Sequence, residues 1–351
     1  MESLIYYVRV VAFIWLILGV SFAINIVQLP GLLLYFSRPH YRTWMRFTQR
    51  LFGSLVIVAT YLFAPLQIVM TGEHVHLNRK SFVPIMANHQ IYTDWWYVWI
   101  FSYFRDSHGE LKIILKESLK SVPILGWGMK CFEFIFLARV WKKDQDRIVD
   151  NLVRAKNDKN PMWLLVFPEG TVITEGTKAN SRAYAKKKDI TDEPKHVLLP
   201  KSTGLYHILR ALESDTEYLY DFTMGYSGLT KDSIPYDAYP PSLVFFKGQG
   251  PQAIHIHVDR IKIADIPGLP KQPYSKSESA TEEFDVWLRK RFMVKDELMK
   301  GFYENGQFPI SSSPNEPGLQ QILHLSPEKQ DWISIIGLVF ASIMSWSWLF
   351  L

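Results

Sequence analysis

Cysteine is almost absent from the chain: Cys131 is the only one in 351 residues. A single thiol forms no intramolecular disulfide and no multi-cysteine zinc site. No Asn-x-Ser/Thr sequon occurs, so nothing points to glycosylation in a secretory lumen. The Gly-x-Ser-x-Gly elbow of α/β serine hydrolases is missing; Gly225-Tyr-Ser-Gly228 does not fit it. Net charge is low, +5 with a pI of about 9.0. That mild basic bias fits an anionic surface or substrate and gives no indication of nucleic acid. There is no internal repeat and no low-complexity tract. What the chain does have is apolar residues, 48% of the total, which excludes a largely disordered protein.

Charge is missing altogether from three segments. Residues 10–36 form a run of 27 without a charge, and residues 51–70 and 332–351 form two more of 20 each. A bilayer core of roughly 30 Å needs about 20 helical residues, so each run is long enough to span it. Arg9 and Ser21-x-Ala23 give the first run a signal-peptide look, but its apolar stretch continues past them and favours a retained anchor. Two arrangements of the first two runs are open. Arg38, Arg42, Arg46 and Arg50 lie between them and the region after them is also basic, so the positive-inside tendency disfavours two full spans. Pro30-Gly31 and Pro65 suit a re-entrant hairpin instead.

Residues 72–270 read as an α/β domain. β-rich apolar runs recur at 82–87, 112–115, 134–138, 163–167, 197–199, 218–223, 242–246 and 254–258. Several are continuously apolar, as strands buried on both faces are. Helical patterns at 142–156 and 203–212 separate some of them. The alternation predicts a mostly parallel sheet flanked by helices. Residues 271–310 form a helical extension, whose helix is announced by the Ser279/Glu282 spacing of a capping box. Residues 311–331 read as a linker, and 332–351 as a C-terminal hydrophobic, membrane-spanning helix. Residues 1–71 are the N-terminal membrane segment.

Three places carry candidate chemistry. After the strand at 82–87 comes Asn88-His89-Gln-Ile-Tyr-Thr-Asp94. Histidine suits general-base work near neutral pH, and Asp94 is a partner for one ring nitrogen. On a straight helix the two would stand about 140° apart, so a strand-to-helix turn is needed to join them. Taken alone, His89 reads first as a satisfied structural histidine. After the run at 163–167 comes Phe167-Pro-Glu169-Gly170-Thr171, a turn at the sheet rim where open α/β sheets bind ligands; the alternative is a plain connecting turn. Arg139 and Lys116 each follow a short strand, placed to grip a phosphate or simply solvated. Seven Lys/Arg against three Asp/Glu between Lys178 and Lys201 read as a solvated loop or an anion-binding one. Trp95, Trp96 and Trp99 fit either the core or a lipid interface. The pairs His74/His76 and His255/His257 lack a third ligand nearby, so no metal site is expected.

The ordered set His89-x4-Asp94, Phe134–Arg139, Phe167–Thr171 and Val197-Leu-Leu-Pro200 resembles the four motif blocks of the glycerophospholipid/lysophospholipid acyltransferase family. The likeness runs from about Met86 to Gly204. Residues 112–128 and Trp287–Leu298 are similar to the branch containing lysocardiolipin and fungal lysophosphatidylinositol acyltransferases. Leu199 stands where many relatives carry Val or Ile.

The resemblance implies transfer of a fatty acyl group from acyl-CoA to a free glycerol hydroxyl of a lysophospholipid, with lysophosphatidylinositol the expected acceptor. Lysophosphatidic acid is the alternative within the class, and a non-catalytic membrane scaffold the alternative outside it. It implies His89 as base and Asp94 as its support. It implies Arg139, Glu169, Gly170 and Thr171 at the glycerol-phosphate part of the substrate, with Lys116 an addition. No bound cofactor is implied, acyl-CoA being a co-substrate. Membrane lipids are the expected surroundings, at the endoplasmic reticulum with the site facing the cytosol. Cys131 sits in an apolar run and is expected to be inert.

Overall fold

The structure is a computed structural model that describes residues 2–77, 82–138, 141–157, 161–212, 216–269, 278–311 and 319–349. Its first half runs α1 (Glu2–Leu32), α2 (Arg38–Phe63), β1 (Gln67–Gly72), β2 (Phe82–Ala87), α3 (Asp94–Phe104), β3 (Leu111–Lys116), α4 (Leu125–Cys131), β4 (Ile135–Leu137), α5 (Trp141–Asn157) and β5 (Met162–Val166). The second half runs α6 (Glu175–Lys187), α7 (Ser202–Leu212), β6 (Tyr218–Tyr226), α8 (Pro235–Ala238), β7 (Ala253–Lys262), α9 (Glu278–Asn305), β8 (Gln321–His324) and α10 (Lys329–Leu349).

The strands form one sheet of eight in the order β4-β3-β5-β2-β6-β7-β1-β8. The five from β4 to β6 are parallel. β7 turns antiparallel to β6, β1 runs parallel to β7, and β8 closes the far edge antiparallel to β1. The expected mostly parallel α/β sheet is therefore present, with a mixed flank added. Strand periodicity divides its side chains between two cores. Ile85, Trp163 and Leu165 face a cluster built with α1, α2, α3 and α10. Met86, Leu164 and Val166 face a second cluster built with α5, α7 and α9. All five residues of β5 are buried, which is why that strand carries no alternation.

The second charge-free run is not one membrane helix. Its first 13 residues end α2, which stops at Phe63, and β1 begins at Gln67. A helix of that length reaches about 20 Å, short of the roughly 30 Å core. Leu55, Val56, Ile57, Val58 and Ala59 are buried in the protein core instead. Pro65 marks the break. Two full spans at the N-terminus are therefore not shown. Among the described residues one helix, Ser3–Leu32, is long and apolar enough to cross a membrane. It is also docked on the protein. The Arg9 guanidinium donates to the carbonyls of Phe63 and Phe246, and Asn25 donates to Ile124.

Two expected strands are not strands. Residues 242–246 make one wide helical turn that buries Val244 and Phe245. Residues 197–199 pair with no strand, and their N–H groups go to side chains described below. The basic segment from Lys178 is half helical, in α6, whose start is fixed by a Thr174/Thr177 capping box. Trp96 and Trp99 are core residues, and Trp96 donates to the Thr60 hydroxyl at 2.7 Å.

Candidate active site

β2 and β5 are adjacent and parallel, with Met86 opposite Val166. The loops that leave them are therefore side by side, and His89 and Glu169 stand equally far beyond those partners. His89 follows the strand, and Asp94 opens α3 at the other end of the same short turn. That turn does what a straight helix would not. His89 Nδ1 lies 2.7 Å from Asp94 Oδ2.

Asp94 is fully buried and surrounded by donors. Its Oδ2 also accepts the N–H groups of Gln90 at 2.6 Å and Ile91 at 3.1 Å, and the Tyr226 hydroxyl donates to Oδ1. Burial, with the Asp94 charge adding to it, pushes the Tyr226 hydroxyl well above its ordinary range, so it stays a donor. An acceptor-only carboxylate matches four donors, so Nδ1 of His89 carries the proton and Nε2 is left as the basic nitrogen. Among the described residues Nε2 has no hydrogen-bond partner. The His89 side chain is 18% exposed, and its ring stacks on Phe167 with centroids 4.2 Å apart.

The backbone of His89 is held from the neighbouring loop. Its N–H donates to Glu169 Oε1 at 2.8 Å, and its carbonyl accepts from Ile173 N–H at 3.1 Å. Glu169 was expected to contact substrate. It is buried and accepts from two backbone amides, the second being Leu198 N–H on Oε2 at 3.2 Å. Burial pushes its carboxyl up to about 8, against the pull of those two amides.

Gly170 has a φ of +70°, and Lys201 Nζ lies 3.5 Å from where a Cβ would stand. The need for glycine is conformational rather than steric, because a lysine tip moves easily. Gly170→Ala should cost about 1–2 kcal/mol of stability through backbone strain, read by denaturant unfolding in detergent. No loss would show that the turn has another accessible shape.

Thr171 is partly buried in the same turn, and Lys116 is exposed at the carboxyl end of β3, at the same sheet edge but two strands from β2. Arg139 lies outside the described residues.

Among the described residues no three His, Cys, Asp or Glu side chains form a metal-holding group. His257 instead meets the Thr71 hydroxyl at 2.8 Å, and His74 the Arg105 guanidinium at 2.9 Å. Cys131 is buried, which raises its thiol to about 11. Asn88, Tyr226 and Asp296 were missed by sequence reasoning. Asn88 bonds both the N–H and the carbonyl of Met224, at 2.7 and 3.0 Å, and so ties the site loop to β6. Nothing local in the sequence marks partners more than a hundred residues apart.

A histidine–aspartate pair at the carboxyl edge of a parallel sheet, beside a Pro-Glu-Gly turn, agrees with comparison against known proteins. The acyltransferase family profile matches residues 67–227, and the acyltransferase C-terminus profile matches 244–332. The chain is 34% identical to an uncharacterized acyltransferase of Schizosaccharomyces pombe, over 86% of this chain and 87% of that one. It is 32% identical to the 2-acyl-1-lysophosphatidylinositol acyltransferase of Saccharomyces cerevisiae, over 76% and 77%. It is 31% identical to lysocardiolipin acyltransferase 1 of Gallus gallus, over 83% and 72%. The chain belongs to the glycerophospholipid/lysophospholipid acyltransferase family and is an acyltransferase enzyme.

Proposed function

We propose that the chain transfers a fatty acyl group from acyl-CoA to lysophosphatidylinositol at a membrane. The observation that carries the chemistry is the His89–Asp94 pair, on a partly exposed side chain whose second ring nitrogen has no hydrogen-bond partner among the described residues. Nε2 of His89 takes the proton of the free glycerol hydroxyl as that oxygen attacks the thioester carbon. The Asp94 charge stabilises the imidazolium that forms. The tetrahedral intermediate collapses with loss of the CoA thiolate, which recovers the proton from His89. No acyl-enzyme is needed, because the thioester is already activated. Gly170, Thr171, Arg139 and Lys116 are assigned to the phosphate side of the acceptor, and the basic face of α6 to anionic groups of either substrate.

The inositol-lipid assignment is supported by the yeast relative, whose name carries that substrate. Membrane attachment is supported by outward apolar stripes at helical spacing. Leu4, Val8 and Val11 form one on α1, and Ile336, Phe340 and Ile343 another on α10. The test is a panel of lysophospholipids and acyl-CoAs supplied to membranes with and without the protein. Selective transfer to lysophosphatidylinositol is expected. Selective transfer to lysophosphatidic acid would overturn the head-group assignment.

A further inference from the structure

Five consecutive amides, from Lys195 to Leu199, have no strand partner, and each is taken up by a side chain. Asp296 Oδ1, on α9, accepts from Lys195 at 2.8 Å, His196 at 2.5 Å and Val197 at 3.3 Å. Leu198 N–H goes to Glu169, and Leu199 N–H to Ser181 Oγ on α6 at 3.2 Å. The His196 carbonyl in turn accepts from the side chain of Gln90, next to His89, at 3.1 Å. Two carboxyl side chains thus stand in line. One fixes the loop from behind, and the other joins the loop to the backbone of His89.

α9 is itself firmly seated. Lys295, fully buried, pairs with Asp221 and donates to the Phe222 carbonyl at 2.6 Å. Arg291 bridges Asp221 and Asp259 at 2.9 and 2.5 Å. These contacts bolt the helix to β6 and β7, so Asp296 projects from a rigid support. A buried, satisfied polar network is a means of fixing one geometry.

We infer that Asp296 is a positioning residue for the proposed base: through the 195–198 loop and Glu169 it sets where His89 stands, making α9 a working part of the site. The inference rests on the proposed role of His89 for its kinetic consequence, but its structural content does not.

Hydrogen exchange by mass spectrometry on the detergent-solubilised full chain tests it, with transfer assays in parallel. Asp296→Ala should speed exchange about tenfold or more in peptides covering both 195–199 and 88–91, with 253–262 unchanged. It should lower kcat about tenfold with KM little moved. Asp296→Asn keeps an oxygen acceptor and should restore most of the protection and rate. In a Glu169→Gln background, Asp296→Ala should add less than about a threefold loss, because the line is already broken. Faster exchange confined to 195–197, faster exchange throughout 253–262, or full additivity with Glu169→Gln would each overturn the inference. If the wild type transfers to no lysophospholipid, the functional reading fails while the exchange data still decide this one.

Discussion

Membranes carrying His89→Ala should transfer acyl groups at least about 10³-fold more slowly than wild type, near the upper range for loss of a positioned base. KM for acyl-CoA should change little, since the proposed role sets the ring at the reacting hydroxyl and not at the bulk of the co-substrate. Asp94→Asn should be milder, for a reason particular to this site. Three N–H groups converge on Oδ2, so the amide oxygen of asparagine must sit there and its NH2 must face Tyr226. The tyrosine hydroxyl turns to accept that hydrogen. The His89 tautomer therefore survives and only the charge is lost. A unit charge about 4 Å from the imidazolium, at an effective dielectric of about 20, is worth about 4 kcal/mol. Part of that is returned by the neutral hydrogen bond, which leaves a fall of about 10²–10³-fold. Losing the negative charge disfavours the imidazolium, so the fall should appear in kcat with KM little moved. An Asp94→Asn variant as active as wild type would show that Asp94 holds the ring without stabilising its charge.

The candidate site was legible in the sequence where its parts are local. His89, Asp94 and the Pro-Glu-Gly turn follow strands whose apolar runs are unbroken, and parallel register alone brings the two loops together. The same apolarity misled elsewhere. Residues 67–70 continue the charge-free run of α2, and a strand buried in a sheet has no period to separate it from a membrane helix. Residues 242–246 are aromatic and apolar but make a helical turn. β8 is only four residues long on a sheet edge, too short to show a pattern. Residues 197–199 read as a strand because Val-Leu-Leu is buried, yet the amides of 197–199 are satisfied by Asp296, Glu169 and Ser181. No local propensity encodes a backbone held by side chains from three other elements.

Glu169→Gln should lower transfer about 10²-fold and change how stability depends on pH. Each carboxyl oxygen accepts one backbone N–H, from His89 and from Leu198, the protonated one through a lone pair of its hydroxyl. A glutamine offers one oxygen and one NH2, so one of those amides must face a donor. A buried amide left without an acceptor costs about 1–3 kcal/mol, and here the loss falls on the tie that positions His89. The pH effect follows from burial. The folded chain holds the Glu169 carboxyl at about 8, against an ordinary 4.5. Between those values the folded state keeps a proton that the unfolded state has released. Its stability therefore falls as pH rises through that window, and the stability is fully present only below the ordinary value. Glu169→Gln does not titrate. The stability gap between wild type and variant, measured by thermal unfolding in detergent, should be widest below pH ~4.5 and narrow towards pH ~8. A gap that widens with rising pH would mean that the two amides outweigh burial and hold Glu169 as a carboxylate. In that case the clamp on His89 would be a charged one, and the loss of transfer in Glu169→Gln should deepen with pH as well.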